Sequence, residues 1–450
     1  MAASQATIHS QPDLISRMSI ARARTDAIFD LLPPNSYYER PIAERHRLIF
    51  YLGHLEAFDW NLLSGPLGLN SDEAEFDKLF AFGIDPVDGG LPADMPKDWP
   101  SIAGVEKYNS TIRQRLDEAL VRWSDSGASN LALRDGTLLH VAIEHRLMHA
   151  ETLAYLLHNL APEKKNAPSR PRPDTHPAPE ARTAAIPAGM ATLGMRAEQP
   201  HPFGWDNEFG ELQIRVPEFS IDTFPVTNGE YMKFVRAGGY QDARDWKPED
   251  WEWKQRAGIR HPHFWSLKKG EREDDPGATW DLRAMFGAIP LPISWPVYVS
   301  QAEASAYASW AGKKLPTEAQ WHRAAYGTAE GTERANPWGD SAPDSTRGNF
   351  HHGDWDATPV DAHPRGASAF GVWDLLGNGW EWTRTEFAPL PGFQPFPFYP
   401  GYSANFFDSK HFVMKGGSAR TDACMLRRTF RNWFQPHYPY MYGKFRCVEE

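Results

Sequence analysis

Apolar residues recur at helical spacing through the first third of the chain. In residues 13–32 the positions Leu14, Ile15, Met18, Ile20, Ala21, Ile28 and Phe29 follow that period, which predicts a helix ended by Pro33-Pro34-Asn35-Ser36. The same reasoning predicts helices over 41–63, 102–123 and 137–160. Helices of about twenty residues in that order predict an up-down bundle, whose core can hold a site built from facing helices. Between the second and third lies an irregular acidic stretch, 65–100, rich in Asp, Gly and Pro. It is too long for an ordinary bundle connection and is expected to cap or bind something.

Residues 161–187 are proline-rich and nearly devoid of apolar side chains, which predicts an extended, stiff linker. Beyond Ile186 the helical period gives way to short strand-like pieces, Gly-rich turns and many aromatics, with helices predicted at 227–237 and 300–311. No clear internal repeat is present. The pattern divides the chain into 1–165, a linker over 166–185, and 186–450, an α+β multidomain protein.

Composition narrows the function classes. With 41% hydrophobic and 23% charged residues over 450 positions, the chain reads as a soluble globular protein of two or three domains. A net charge of -11 argues against broad nucleic-acid binding. The N-terminus is polar and no stretch is apolar enough to span a membrane, so the cytoplasm is the expected location. Cys424 and Cys447 imply no disulfide framework, although a bridge between them stays open. The 18 Trp suit carbohydrate or cationic ligands, and equally suit core packing.

The chemistry centres on Glu144-His145-Arg146-Leu147-Met148-His149, inside a helical run without Gly or Pro. Four residues apart, His145 and His149 share one helix face, a spacing that suits two ligands of one metal. Taken alone the pair also fits half-exposed histidines on a bundle helix. A third imidazole must come from another helix, and His54, in the second, is the best supplier. His140, five residues before His145, points about 140° around the helix and should not join the pair.

Several motifs follow in order: Ile186-Pro187-Ala188-Gly189-Met190, Phe224-Pro225-Val226-Thr227-Asn228, Leu315-Pro316-Thr317-Glu318, Asn336-Pro337-Trp338-Gly339, Gly377-Asn378-Gly379-Trp380-Glu381-Trp382 and Lys415-Gly416-Gly417-Ser418. This series resembles the formylglycine-generating-enzyme (sulfatase-modifying-factor) domain, a C-type-lectin-like fold, over 186–450. Cys424 and Cys447 do not sit in that family's copper-holding cysteine pattern and are expected to be structural. The first half resembles the DinB-like four-helix bundle. Bundle, linker and second domain together resemble the non-heme iron sulfoxide synthases of ergothioneine biosynthesis.

That resemblance implies Fe(II) on His54, His145 and His149, with O2 as co-substrate and hercynine, the trimethylated betaine of histidine, as substrate. Three neutral imidazoles leave coordination positions open, as in oxygen-activating non-heme sites, and a third His in place of a carboxylate favours an anionic sulfur or selenium ligand. The resemblance also implies that most hercynine contacts come from the second half. A trimethylammonium group needs aromatic faces and a carboxylate partner; Asn432 and Trp433 are the candidates. A tyrosine that gives a proton or hydrogen atom is implied in the loop before Lys415-Gly416-Gly417-Ser418, where Tyr399 is favoured and Tyr402 stays open.

One departure concerns the donor. Where the better-known synthases carry an Asp and an Arg that hold a cysteine-type donor, this chain has Phe434 and Tyr438. A neutral, hydroxyl-rich donor would fit aromatics with Gln435 and His437 better. With residues 79–86, this ending resembles the selenoneine synthase branch, which implies C–Se bond formation between a selenosugar and the imidazole C2 of hercynine. A donor held instead by Arg427, Arg428 or Arg431 is the competing placement. The alternatives are a sulfoxide synthase using cysteine or γ-glutamylcysteine, a DinB-type metal-dependent thiol transferase with zinc in the same histidines, and a lectin-like binding protein without metal.

Overall fold

The computed structural model describes residues 11–82, 92–126, 133, 135–168, 173–198, 202–268, 270–272 and 277–450. They fall into two compact units. One runs to Pro168 and includes Pro202 and Phe203; the other takes residues 173–198 and everything from Gly204.

In the first unit the apolar period does what its spacing dictates. Helices α1 (Gln11–Phe29), α2 (Leu48–Leu63), α3 (Ala74–Phe82), α4 (Ile102–Ser126) and α5 (Thr137–His158) form. α1 packs on α5 and α4, and α2 on α3, α4 and α5. Leu48, Ile49, Leu55, Trp60 and Leu63 meet Val105, Ile112, Leu116, Leu139, Ile143 and Leu153 in the core.

Charges cross this core. Arg146 of α5 is 1% exposed and donates to Glu56 Oε1 at 3.0 Å and to Asp59 Oδ2 at 2.6 Å, both on α2. Arg113 of α4 donates to Glu56 at 2.8 Å and grips Asp26 of α1 with both terminal nitrogens, at 2.7 and 2.6 Å. Burial alone would push the Glu56 carboxyl upward, but Arg146, Arg113 and Arg22 outweigh it and hold the group below its ordinary range. One network thus ties four helices together.

The structure departs from the sequence reading in two places here. α2 starts at Leu48 rather than near position 41, because Arg47 is extended and donates to Asp94 Oδ2 at 3.0 Å, to the Asp94 carbonyl at 2.7 Å and to the Tyr38 carbonyl at 2.7 Å. Asp94, 6% exposed, belongs to the stretch read as irregular, and Trp99 also donates to it at 2.6 Å. That stretch holds α3 as well. Phe80 of α3 lies against Gly53 of α2, where an added Cβ would fall 2.5 Å from the ring. Of the 79–86 segment, Leu79 to Phe82 lie on α3 and the rest falls outside the described residues.

In the second unit short strands pair as β1 (Thr183–Ile186) with β4 (Phe219–Asp222) and β12 (Val448–Glu449), β2 (Gly189–Leu193) with β3 (Leu212–Val216), and β5 (Trp265–Leu267) with β6 (Trp280–Ala284) and β7 (Gly287–Pro290). The fourth sheet has the order β10 (Asn432–Phe434), β9 (Phe412–Gly417), β8 (Gly379–Glu386), β11 (Gly443–Lys444). Helices α6 (Asn228–Arg236), α8 (Gln301–Trp310) and α9 (Glu318–Tyr326) each start on a capping box, Thr227/Glu230, Ser300/Glu303 and Thr317/Gln320. α7 (Pro248–Arg256) and α9 were not among the predicted helices.

The motifs hold this unit together by charge as well as packing. Glu381 of Trp380-Glu381-Trp382 accepts from Arg446 Nε and one of its terminal nitrogens, each at 2.7 Å, and from Trp321 Nε1 at 2.8 Å. Gly416 has φ +97, and a Cβ there would sit 2.6 Å from the Leu375 carbonyl, so only glycine fits. Cys424 and Cys447 are not joined in a disulfide, and burial pushes the Cys447 thiol well up, leaving it inert. Among the described residues no helix is long and apolar enough to cross a membrane.

Two stability tests follow from the bundle. Arg146→Met leaves Glu56 and Asp59 buried with one cation fewer and should cost about 3–5 kcal/mol in denaturant unfolding of the full chain. Gly53→Ala gains helix propensity but overpacks Phe80, so a net loss of about 1–2 kcal/mol is expected in the same measurement.

Candidate metal centre

α2 presents His54 and α5 presents His145 and His149, one turn apart, and their rings converge. Ring centroids are 5.3 Å apart for His54–His145, 4.8 Å for His54–His149 and 4.5 Å for His145–His149. One nitrogen from each ring lies within 4.8 Å of the others. An ion with bonds of about 2.1 Å reaches all three after sub-ångström adjustment.

The surroundings orient the rings. Nδ1 of His54 lies 2.7 Å from the Phe80 carbonyl, which can only accept, so Nδ1 carries the hydrogen and Nε2 keeps its lone pair. Phe58 lies flat on His145 at 3.4 Å and 9°, and Phe50 stacks on His54 at 4.7 Å. Phe50, His54 and Phe58 share one face of α2 at steps of four. The Tyr51 ring is 5.8 Å from His149.

Electrostatics make the three imidazoles neutral donors. Burial lowers the His54 pKa to about 4, against the opposing Phe80 hydrogen bond. Burial, then the neighbouring histidines, holds His145 and His149 well below the ordinary imidazole value. His149 Nδ1 is buried with no hydrogen-bond partner. Neutral nitrogens gathered without a carboxylate, one of them unsatisfied, fit a divalent transition-metal ion. His140 stacks instead on Phe203, at 4.9 Å and 7°.

The second unit brings together several residues that the sequence offered separately. Tyr402, 8% exposed, stacks on buried Trp205 at 3.9 Å and meets Trp433 edge-on at 5.4 Å. Tyr399 is partly exposed, its centroid 5.7 Å from Tyr402. Burial, then the Asp206 carboxylate, raises the Tyr399 phenol above its ordinary range, so it keeps its proton at neutral pH. Ser403, beside Tyr402, donates to Asp206 at 2.6 Å and anchors the loop.

Asn432 and Trp433 lie on β10, opposite Met414 and Val413. Trp433 is parallel to Phe387 at 4.3 Å and 9°, with Phe406 at 5.5 Å. Phe434 and Tyr438 stack on each other at 5.2 Å and 20°, and Gln435 is exposed. Arg427 is engaged with Glu208, Arg428 with Glu333 at 3.0 Å, and Arg431 with Glu318 at 2.9 and 3.1 Å.

Sequence reasoning missed the groups behind the ligands. Phe50 and Phe58 were detectable from their spacing to His54. Glu56, Asp59 and Arg146 were detectable as charges inside apolar helices. The Phe80 carbonyl gave no signal, since any residue offers one.

Comparison with known proteins agrees with both halves. The model of the sulfatase-modifying factor enzyme 1-like domain matches residues 169–450, and that of the DinB superfamily matches 17–153. The chain is similar to the hercynine oxygenase of Mycobacterium tuberculosis, 35% identical over 340 residues and covering 75% of each chain. It is also similar to the hercynine oxygenase of Mycolicibacterium smegmatis, at 36% identity with 77% of this chain and 76% of that one covered. Ergothioneine biosynthesis protein 1 of Neurospora crassa is 28% identical, over 93% of this chain and 56% of that protein. A DinB-type bundle followed by a sulfatase-modifying-factor domain, the chain belongs to the hercynine oxygenase family.

Proposed function

We propose that the chain catalyses oxidative, Fe(II)- and O2-dependent bond formation between the imidazole C2 of hercynine and a chalcogen donor. The observation that carries this reading is the cluster of His54, His145 and His149, gathered as neutral donors. Fe(II) bound there would supply the redox chemistry by which O2 reacts with closed-shell substrates. The chain's own residues do the rest. The Phe80 carbonyl and the Phe50 and Phe58 rings keep the imidazoles aimed. Tyr399, protonated and partly exposed, gives the proton or hydrogen atom; Tyr402, packed under Trp205, serves as its support. Asn432 and Trp433 bind hercynine, whose trimethylammonium suits the aromatic walls around Trp433.

For the donor we assign a selenosugar, which makes the chain a selenoneine synthase located in the cytoplasm. Two observations support this. The pair Phe434 and Tyr438 offers rings and no charge. Arg427, Arg428 and Arg431, the alternative clamps for a donor carboxylate, each already hold a glutamate. Burying an amino-acid donor's charges beside those rings would cost several kcal/mol, roughly the desolvation of unpaired polar groups. The names of the relatives favour the coarser reading, a hercynine sulfoxide synthase of ergothioneine biosynthesis with a cysteine-type donor.

Two experiments decide. Purified protein should retain one Fe(II) per chain and consume O2 only with hercynine and a donor present. His149→Ala should abolish both properties and His140→Ala neither; turnover without O2 and with zinc would instead identify a thiol transferase. In steady-state assays varying only the donor, a selenosugar should show the highest kcat/KM. A higher value for cysteine or γ-glutamylcysteine would identify the sulfoxide synthase.

A further inference from the structure

His437 sits in the loop after β10, and its setting is more specific than loop packing requires. Its Nε2 lies 2.7 Å from Oδ1 of Asp250, whose side chain is 4% exposed. Its ring lies flat on Trp253, with centroids 4.4 Å apart at 7°. Asp250 and Trp253 are three residues apart on α7 and therefore on one face, so a single short helix supplies both contacts.

This arrangement fixes the tautomer. A carboxylate acceptor puts the hydrogen on Nε2, so in the neutral imidazole Nδ1 is the acceptor. Nδ1 has no hydrogen-bond partner among the described residues, and the His437 side chain is 29% exposed. On the same loop stand the stacked Phe434 and Tyr438 rings, with Tyr440 edge-on to Tyr438 at 5.1 Å. The loop thus offers an oriented hydrogen-bond acceptor next to aromatic faces.

We propose that His437, held by Asp250 and Trp253, forms the hydroxyl-binding subsite for the donor. The inference rests on the donor reading above and adds the group that recognises it. Nδ1 accepts a hydrogen bond from a hydroxyl of a neutral polyol, while the aromatic rings receive its apolar face. The same lone pair, backed by the Asp250 charge, repels a carboxylate. An amino-acid donor brings a carboxylate with its ammonium, and neither Phe434 nor Tyr438 offers that carboxylate a cationic partner. Asp250 and Trp253 are positioning residues, acting through the imidazole.

The test uses the iron-loaded full chain, with two donors: a selenosugar and an alkyl selenol that lacks hydroxyls. The readout is the ratio of their kcat/KM values. His437→Phe keeps a ring to stack on Trp253 and removes the acceptor, so the ratio should fall about fivefold to a hundredfold, the cost of leaving one buried hydroxyl without its partner. The loss should appear in the KM for the sugar, with the KM for hercynine unmoved, while the stranded Asp250 lowers the thermal midpoint equally whichever donor is used. Asp250→Asn should lower the ratio in the same direction, because an amide can donate to Nε2 and turn Nδ1 into a donor. An unchanged ratio in both variants, or equal losses for both donors, overturns this inference and leaves the donor reading standing. A wild-type enzyme that uses γ-glutamylcysteine and no sugar overturns both.

Discussion

The bundle depends on one arginine whose fork spans two carboxylates. Arg146 bonds Glu56, Asp59 and the Leu55 carbonyl where almost no water reaches, and these short contacts offset the cost of removing the charges from water. Such a network contributes register more than strength. His54 lies two residues before Glu56, and His145 directly precedes Arg146. Sliding α5 along α2 by one residue would keep the apolar faces in contact while breaking the polar bonds. Apolar packing brings the helices together, and the charges decide which imidazoles meet.

The second unit repeats this logic. Glu381 with Arg446, Glu318 with Arg431 and Glu208 with Arg427 each join an earlier segment of the domain to its last strands or loops. Three of the arginines near the C-terminus are thereby structural, although a row of arginines beside an aromatic loop invites a binding role. Charge-assisted pairs of this kind hold short strands that bury too little surface to fix themselves.

Much of this was legible from the chain. The fold class followed from the switch between helical period and short strands, and the meeting of His54, His145 and His149 from one H-x-x-x-H step plus a histidine on a facing helix. What stayed hidden depends on tertiary closure. The start of α2 was misjudged because Asp94, far along the chain, holds Arg47 extended. α3 lay inside a stretch whose Asp, Gly and Pro content masked it, and with it the carbonyl that orients His54. Tyr399 and Tyr402 look alike in sequence; only the packing of Trp205 over Tyr402 separates them. His437 stood out only as one polar residue among aromatics until α7 appeared beneath it.

The contact between Gly53 and Phe80 has an evolutionary consequence. The hydrogen bond to His54 comes from a backbone carbonyl, so no substitution at position 80 can delete it directly. What a substitution can do is shift α3. Positions 53 and 80 occupy one shared volume between two helices, filled on one side by a hydrogen atom and on the other by a ring. A lineage can enlarge one partner only by shrinking the other. The two positions should therefore vary as an inverse pair in size, and the aim of the His54 ring is inherited through a steric trade between two residues outside the histidine cluster.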